Sequence, residues 1–313
     1  MPSSHIEAIF KATADIEAAA ELAETELMTC GERYPGDPGP GMALVGGAVG
    51  FNADPSARES FYGRRLGIRR TYFRADQVTQ AVSTASSDLT LGRLPWISLK
   101  FPTSWANVAA GQADTWALDL ADKLAALPGP VWVTLHHEPE GDEGTTAADM
   151  QRWVAAQRRM SPFFDRPNVA FWVIYTGWSQ FFGTNPAYHL SNVWPGDDVG
   201  IKGIGIDPYC WYGTADGKPM GDMEADYWTR MELFANAHQV AWGVAETGYT
   251  AAAHTANPKW LQQSFDRMLA HGGAAYCYFD LKDASRPTWT WQLDASRAAA
   301  FKSVINQANS GRI

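Results

Sequence analysis

The chain is poor in cysteine. Cys30, Cys210 and Cys277 are the only three in 313 residues, and no CxxC pair occurs. That excludes a disulfide framework and a cysteine-built zinc site. Cys210 and Cys277 fall inside apolar runs, where a thiol packs as a small hydrophobe. Positive charge is also scarce: 25 Lys and Arg against 34 Asp and Glu leave a net charge of −9, so no basic face exists to displace phosphate counterions, and nucleic acid is not an expected partner. No apolar run reaches membrane-spanning length, and no basic-then-apolar leader is legible at the start. Two motifs are missing as well. There is no G-x-S-x-G of a serine hydrolase, and G-G-A-V-G-F-N at 46–52 is too irregular for a dinucleotide fingerprint.

What is present is aromatic. Fourteen Trp, 11 Tyr and 14 Phe exceed what a core of this size requires, and flat rings suit the apolar faces of sugars as well as packing. Residues 1–33 contain Ala, Glu and Leu with apolar residues near helical spacing (Ile6, Ile9, Phe10, Ile16, Leu22, Leu27), which predicts a helical segment. It either packs on the main domain or tethers it to a larger assembly. The Pro- and Gly-rich stretch 34–41 then reads as a lead-in loop, and the main domain is expected over 42–313.

Within that domain an apolar, strand-like run recurs eight times: 42–49, 68–73, 94–99, 131–135, 169–175, 201–206, 240–245 and 274–279. Helical patterns fill the gaps at 113–127, at 146–159 (opened by Thr146-x-x-Asp149), at 223–238, at 258–271 and at 296–308. Strands alternating with helices pair in parallel with right-handed crossovers, so eight units predict an α/β fold, a (β/α)8 TIM barrel with an N-terminal helical extension.

In such a barrel every strand's carboxyl end faces one mouth. The ends supply Asn52, Arg74 and Asp76, Lys100, His136, His137 and Glu138, Tyr175 and Trp178, Asp207, Tyr209 and Trp211, Glu246, and Asp280. Glu138 ends V-W-V-T-L-H-H-E-P-E-G and Glu246 ends V-A-W-G-V-A-E, two carboxylates among aromatics. Glycoside hydrolysis needs that inventory: one carboxylic acid to protonate the leaving oxygen and one carboxylate to attack or to activate water. Glu140 is the alternative acid, although it lies beyond the strand end. His136 and His137 beside Glu138 do not make a metal site, because consecutive side chains at a strand end point opposite ways; no metal and no cofactor are expected.

The strand-four and strand-seven glutamates resemble those of the clan A glycoside hydrolases, retaining (β/α)8 enzymes. Within the clan, H-E-P-E-G at 137–141 is similar to the His-Glu-x-x-Gly stretch of family 26, the β-mannanase type. The resemblance implies Glu138 as acid/base, Glu246 as nucleophile, Tyr209 as the tyrosine aimed at the nucleophile, and His137 as the residue preceding the acid/base. Where family 26 places an Arg and a Trp, this chain has Thr134 and the acidic 142–144, so the likeness does not extend to mannan as substrate.

The implied mechanism is double displacement, with carboxyl groups about 5–5.5 Å apart and a raised pKa for Glu138 beside a charged Glu246. Other substrate-binding candidates keep two readings. Trp178, Trp211 and Trp289 stack on sugars or belong to the core. Asp207 binds a hydroxyl or caps its turn. Arg74 and Lys100 bind hydroxyls or an acidic sugar, or pair with carboxylates. The competing function is a carbohydrate-binding barrel without turnover, an adhesion or receptor-binding module.

Overall fold

A computed structural model describes residues 33–50, 52–140, 142–214, 218–282 and 291–311. The expected helical segment in 1–33 lies outside these residues except for Arg33, and Trp289 lies outside them too. Eight strands form the barrel: β1 (Ala43–Val49), β2 (Ile68–Phe73), β3 (Leu94–Leu99), β4 (Val131–Leu135), β5 (Val169–Tyr175), β6 (Gly203–Ile206), β7 (Ala241–Tyr249) and β8 (Ala275–Asp280). Each pairs in parallel with the next, and β8 pairs with β1 over Leu44–Val49, which closes the sheet.

Alternation along the strands separates two cores. Val131, Val133 and Leu135, with Val169, Phe171 and Val173, face the surrounding helices. Leu44, Ile68, Leu94, Trp96, Trp132, Trp172 and Ala245 fill the barrel interior. The bulk of three tryptophans is accommodated by β6, whose G-I-G-I turns glycines inward. A Cβ on Gly203 would stand 2.5 Å from the Trp172 ring, and one on Gly205 would stand 3.2 Å from Trp96. The lead-in loop does more than connect. Tyr34 is buried with its ring 5.8 Å from Trp132 and 5.9 Å from Trp172, and the Trp132 Nε1 donates to the Pro35 carbonyl (2.9 Å), so this stretch seals the amino-terminal end.

The helices follow the expected gaps: Asp114–Ala125, Ala147–Met160, Thr229–His238, Trp260–Ala270 and Ala295–Ile305. The Thr146–Asp149 capping box forms as read: the Asp149 amide donates to Thr146 Oγ1 (3.2 Å) and the Thr146 amide to Asp149 Oδ2 (3.1 Å). Two differences have physical causes. Val78–Thr90 is a helix that propensity hides under three Ser and three Thr; burial of Ala81 and Ala85 against the barrel overrides it. The stretch read as one helix over 223–238 opens with a π-helical turn, Glu224–Trp228.

Candidate active site

The site begins where β4 stops. After Leu135 the backbone turns left-handed at His136 (φ 52°) and again at Glu138 (φ 48°). Non-glycine residues rarely hold that conformation, and they do so where the surroundings over-determine it. Here the His136 amide donates to the Leu99 carbonyl (2.7 Å), the Glu138 amide to the Ile174 carbonyl (3.0 Å), and Trp153 Nε1 to the His136 carbonyl (3.0 Å). The next loop folds back: His136 Nε2 and Lys100 Nζ both reach Asp142 Oδ2, at 2.8 and 2.6 Å. The hydrogen bond from His136, supported by Lys100, holds the Asp142 carboxyl well below the usual range. Neighbouring strands thus fix the chain at Glu138, and Lys100 is spent on that clamp.

Glu246 arrives by a different device. It lies inside β7, not at its end, because the strand runs on to Tyr249. Between Val244 (paired with Tyr276) and Thr247 (paired with Tyr278) the strand carries one residue more than β8. This bulge breaks the alternation, so Ala245 belongs to the interior core and Glu246 also reaches the interior. There Tyr72 Oη donates to Oε1 and Tyr209 Oη to Oε2, both at 2.7 Å, and Arg70 Nη2 stands 3.7 Å from Oε1. Burial, reinforced by the negative Glu246, pushes both phenols well above their ordinary pKa, so they stay protonated as donors.

The remaining carboxyls are arranged to hold their protons. Burial, then the charges of Glu246 and Glu140, raises Glu138 to about 8. Burial, then Glu246 and Glu138, pushes Asp207 well above the carboxylate range. Among the described residues neither Asp207 oxygen meets an N–H or O–H donor, so burial favours its neutral form. His137, its ring 5.5 Å from that of Tyr72, is held neutral by burial and then by Arg70. Glu140 faces away from this cluster: its Oε1 accepts from the Thr176 amide and hydroxyl (both 3.4 Å) and from Gln180 Nε2. Burial lifts it to about 7.

The structure therefore gathers Glu138, Glu246, His137, Tyr209 and Asp207. Trp211 joins them at the rim, with its ring 6.1 Å from Tyr209 and 5.0 Å from Trp291. Trp178 is exposed at the edge of a cavity that Tyr209 also lines. Arg74 is not brought in; it is 72% exposed and paired with Asp76. Three other strand-end residues serve the scaffold. Asn52 brackets the Tyr72 backbone through both amide atoms (2.6 and 2.9 Å), the Tyr175 hydroxyl donates to the Val193 carbonyl (2.8 Å), and Asp280 pairs with Arg58 (2.8 Å).

Arg70 and Tyr72 are what sequence reasoning missed. The signal was the alternation in I-R-R-T-Y-F. Arg69 points outward to Asp88 (3.1 Å), so Arg70 and Tyr72 point inward, and an arginine inside a barrel needs a partner there. Among the described residues, no group of three or more His, Cys, Asp or Glu is arranged to hold a metal ion.

No protein-family model matches this sequence, and no curated protein does. Solved structures do. A GH26 β-mannanase from Bacteroides ovatus superposes with a TM-score of 0.58 at 15% identity, covering 86% of this chain and 89% of its own. A GH5 xyloglucan-specific endo-β-1,4-glucanase from a metagenomic library gives 0.59 at 13% identity, over 85% and 97%. The GH5_18 protein of Bifidobacterium longum, solved with Manβ1-4GlcNAc, gives 0.60 at 11% identity, over 86% and 79%. At these identities the likeness is one of architecture: the chain has the (β/α)8 barrel of the clan A glycoside hydrolases of GH26 and GH5.

Proposed function

We propose that the chain is a retaining glycoside hydrolase. The observation that carries the reading is the division of labour between two carboxyls in one mouth. Glu246 is gripped by two phenolic donors beside a buried guanidinium, whereas Glu138 keeps its proton to about pH 8. A carboxylate oriented by donors and a carboxylic acid held neutral are the two reagents of double displacement.

In the first step Glu246 Oε attacks the anomeric carbon, the glycosidic C–O bond breaks, and the Glu138 proton passes to the departing oxygen. In the second, Glu138, now ionised, takes a proton from water, whose oxygen displaces Glu246 from the same carbon. The two carboxyls are about 5–5.5 Å apart in this scheme, as retention requires. Tyr209 and Tyr72 orient Glu246 and stabilise its charge. His137, neutral, presents a polar edge to the sugar. The neighbours' glycans are of several kinds, so they support the reaction rather than one sugar.

The test is reducing-end release from a panel of plant and microbial wall glycans by wild type and Glu246→Ala. Release that collapses in the variant supports the reading, and release that survives refutes Glu246 as nucleophile. Binding without release in wild type would favour the non-catalytic carbohydrate-binding barrel.

A further inference from the structure

Glu140 stands two residues after the acid/base and takes no part in the reaction as written. It is nonetheless firmly held. Its Oε1 collects donors from just beyond the end of β5, the Thr176 amide and hydroxyl (both 3.4 Å) and Gln180 Nε2. Its Oε2 is buried and meets no donor among the described residues. Crowding one oxygen with donors and leaving the other dry disfavours the charged form, and burial lifts the group to about 7. A glutamate that was only a loop charge would turn out to water.

What this carboxyl flanks gives it a part to play. Glu138 holds φ 48°, a conformation that persists in a non-glycine residue only where its surroundings fix it. Upstream, the His136 amide donates to the Leu99 carbonyl and Trp153 Nε1 to the His136 carbonyl. Downstream, the Glu138 amide donates to the Ile174 carbonyl (3.0 Å), and then Pro139 offers no N–H, so the backbone cannot supply the next link. The Glu140 side chain supplies it instead, by accepting from the Thr176 amide. Residues 138–140 are thus stitched to 174–176 at both ends, once by backbone and once by side chain. The far side of the stitch is braced in turn, because Gln180 Oε1 accepts from the Gly177 amide (2.9 Å).

We propose that Glu140 is a positioning residue for the acid/base: its carboxyl pins the chain just after Glu138 to the end of β5 and so fixes where Glu138 delivers its proton. This rests on the hydrolase reading and deepens it. It also gives Glu140 a part other than that of the acid itself.

The experiment compares wild type, Glu140→Ala, Glu140→Gln and Glu138→Gln on the glycan cleaved and on aryl glycosides of the same sugar with good leaving groups. Only the glycan needs a proton at the departing oxygen. Glu140→Ala should lower kcat/KM on the glycan by about 10- to 100-fold, the scale of a misplaced reacting group, and on the aryl glycosides by less than about threefold. Glu140→Gln keeps an acceptor at Oε1 and should restore the glycan rate at pH 6. It also removes a charge that helps raise Glu138, so the alkaline limb of its pH profile should move to lower pH than that of wild type. Equal loss on both substrates in Glu140→Ala would mean general damage and overturn the proposal. So would an unshifted limb in Glu140→Gln, or a glycan loss there as large as in Glu138→Gln. Should Glu140→Ala not fold, Gln180→Met, which removes one donor and leaves the carboxyl, should show the same split between substrates at about threefold or more; no split would overturn the proposal.

Wild type that cleaves no glycan would remove the hydrolase reading, and amide exchange then reads the pin by itself. The Glu138 amide should exchange about tenfold faster or more in Glu140→Ala and near the wild-type rate in Glu140→Gln. Unchanged exchange in Glu140→Ala would remove the pin as well.

Discussion

The two ends of the barrel are built from the same eight strands and have opposite chemistry. At the amino-terminal end the interior is a plug of rings: Trp132 stacks on Trp172 at 4.3 Å, and Trp96 sits edge-on to Trp132 (5.2 Å) and tilted against Trp172 (5.1 Å). Polar atoms there are few and mostly matched, as where Trp96 Nε1 donates to Thr134 Oγ1 (3.1 Å). At the carboxyl end, two turns of alternation further on, the interior holds Glu138, Asp207 and Glu246 around Tyr72 and Tyr209. Arg70 lies between the two, its guanidinium carbon 5.0 Å from the Trp96 ring and 4.9 Å from that of Tyr72. One end is close-packed and apolar. The other keeps left-handed backbone, a strand bulge and carboxyls away from their ordinary charge state, features that cost stability and persist where function requires them.

That contrast predicts separable damage. Glu246→Ala should remove activity on the order of 10⁴-fold or more, with a melting temperature near that of wild type; steady-state kinetics and calorimetry together check this. Glu138→Gln comes next, with a loss of about 10²–10⁴ in kcat on natural glycans and a much smaller one on aryl glycosides whose leaving group needs no proton. Its pH profile is the sharper readout. The wild-type acid must be protonated, so activity should fall as pH rises through about 8, the value to which burial and neighbouring carboxylates lift Glu138; that limb should vanish in the variant.

The same shift has a stability consequence with a fixed sign. The folded chain holds the Glu138 proton more tightly than the unfolded chain, so wild type loses stability as pH rises from the ordinary 4.5 towards about 8. Glu138→Gln should therefore gain in melting temperature over wild type at pH 8 and gain least at pH 4. An equal difference at both pH values would contradict the assignment of a raised pKa.

Tyr209→Phe removes one donor to Glu246 and should cost about 10- to 100-fold in kcat/KM, the 1.5–3 kcal/mol of a hydrogen bond to a charged group. Tyr72→Phe should match it, since both bonds are 2.7 Å. Trp172→Ala lies at the far end of the scale for catalysis. It should cost about 3–5 kcal/mol of stability through the cavity it leaves, yet activity per folded molecule should be unchanged. If Trp172→Ala instead altered KM or the pH profile, the two ends would not be independent.

How much of this was legible beforehand depends on what each feature is written in. The barrel is written in period-two apolar runs, and seven of the eight strands begin within one residue of the expected position; β6 starts two residues later, at Gly203, where Gly203 and Gly205 carry no side chain to pattern. Glu138 and Tyr209 could be read because an apolar run breaks into ionisable or aromatic residues at a strand end. Glu246 was placed at the mouth for a related but incomplete reason. The strand continues past it, and only the extra residue against β8 turns it inward.

Arg70 and Tyr72 were hidden inside a strand, where strand-end logic does not look. The Asp142 clamp on His136 and Lys100 depends on a loop returning on itself, and no local pattern encodes that. Neither does the π-turn at Glu224–Trp228, which reads as ordinary helix in its residues.

In the proposed reaction Glu246 forms a bond to the sugar. The most direct measurement is intact and peptide mass spectrometry after incubation with a 2-deoxy-2-fluoro glycoside, bearing a good leaving group, of the sugar identified in the glycan panel. One added glycosyl mass is expected on the peptide containing Glu246, absent in Glu246→Ala. A label on Glu138 or Glu140, or unlabelled protein releasing product of inverted configuration, would contradict it.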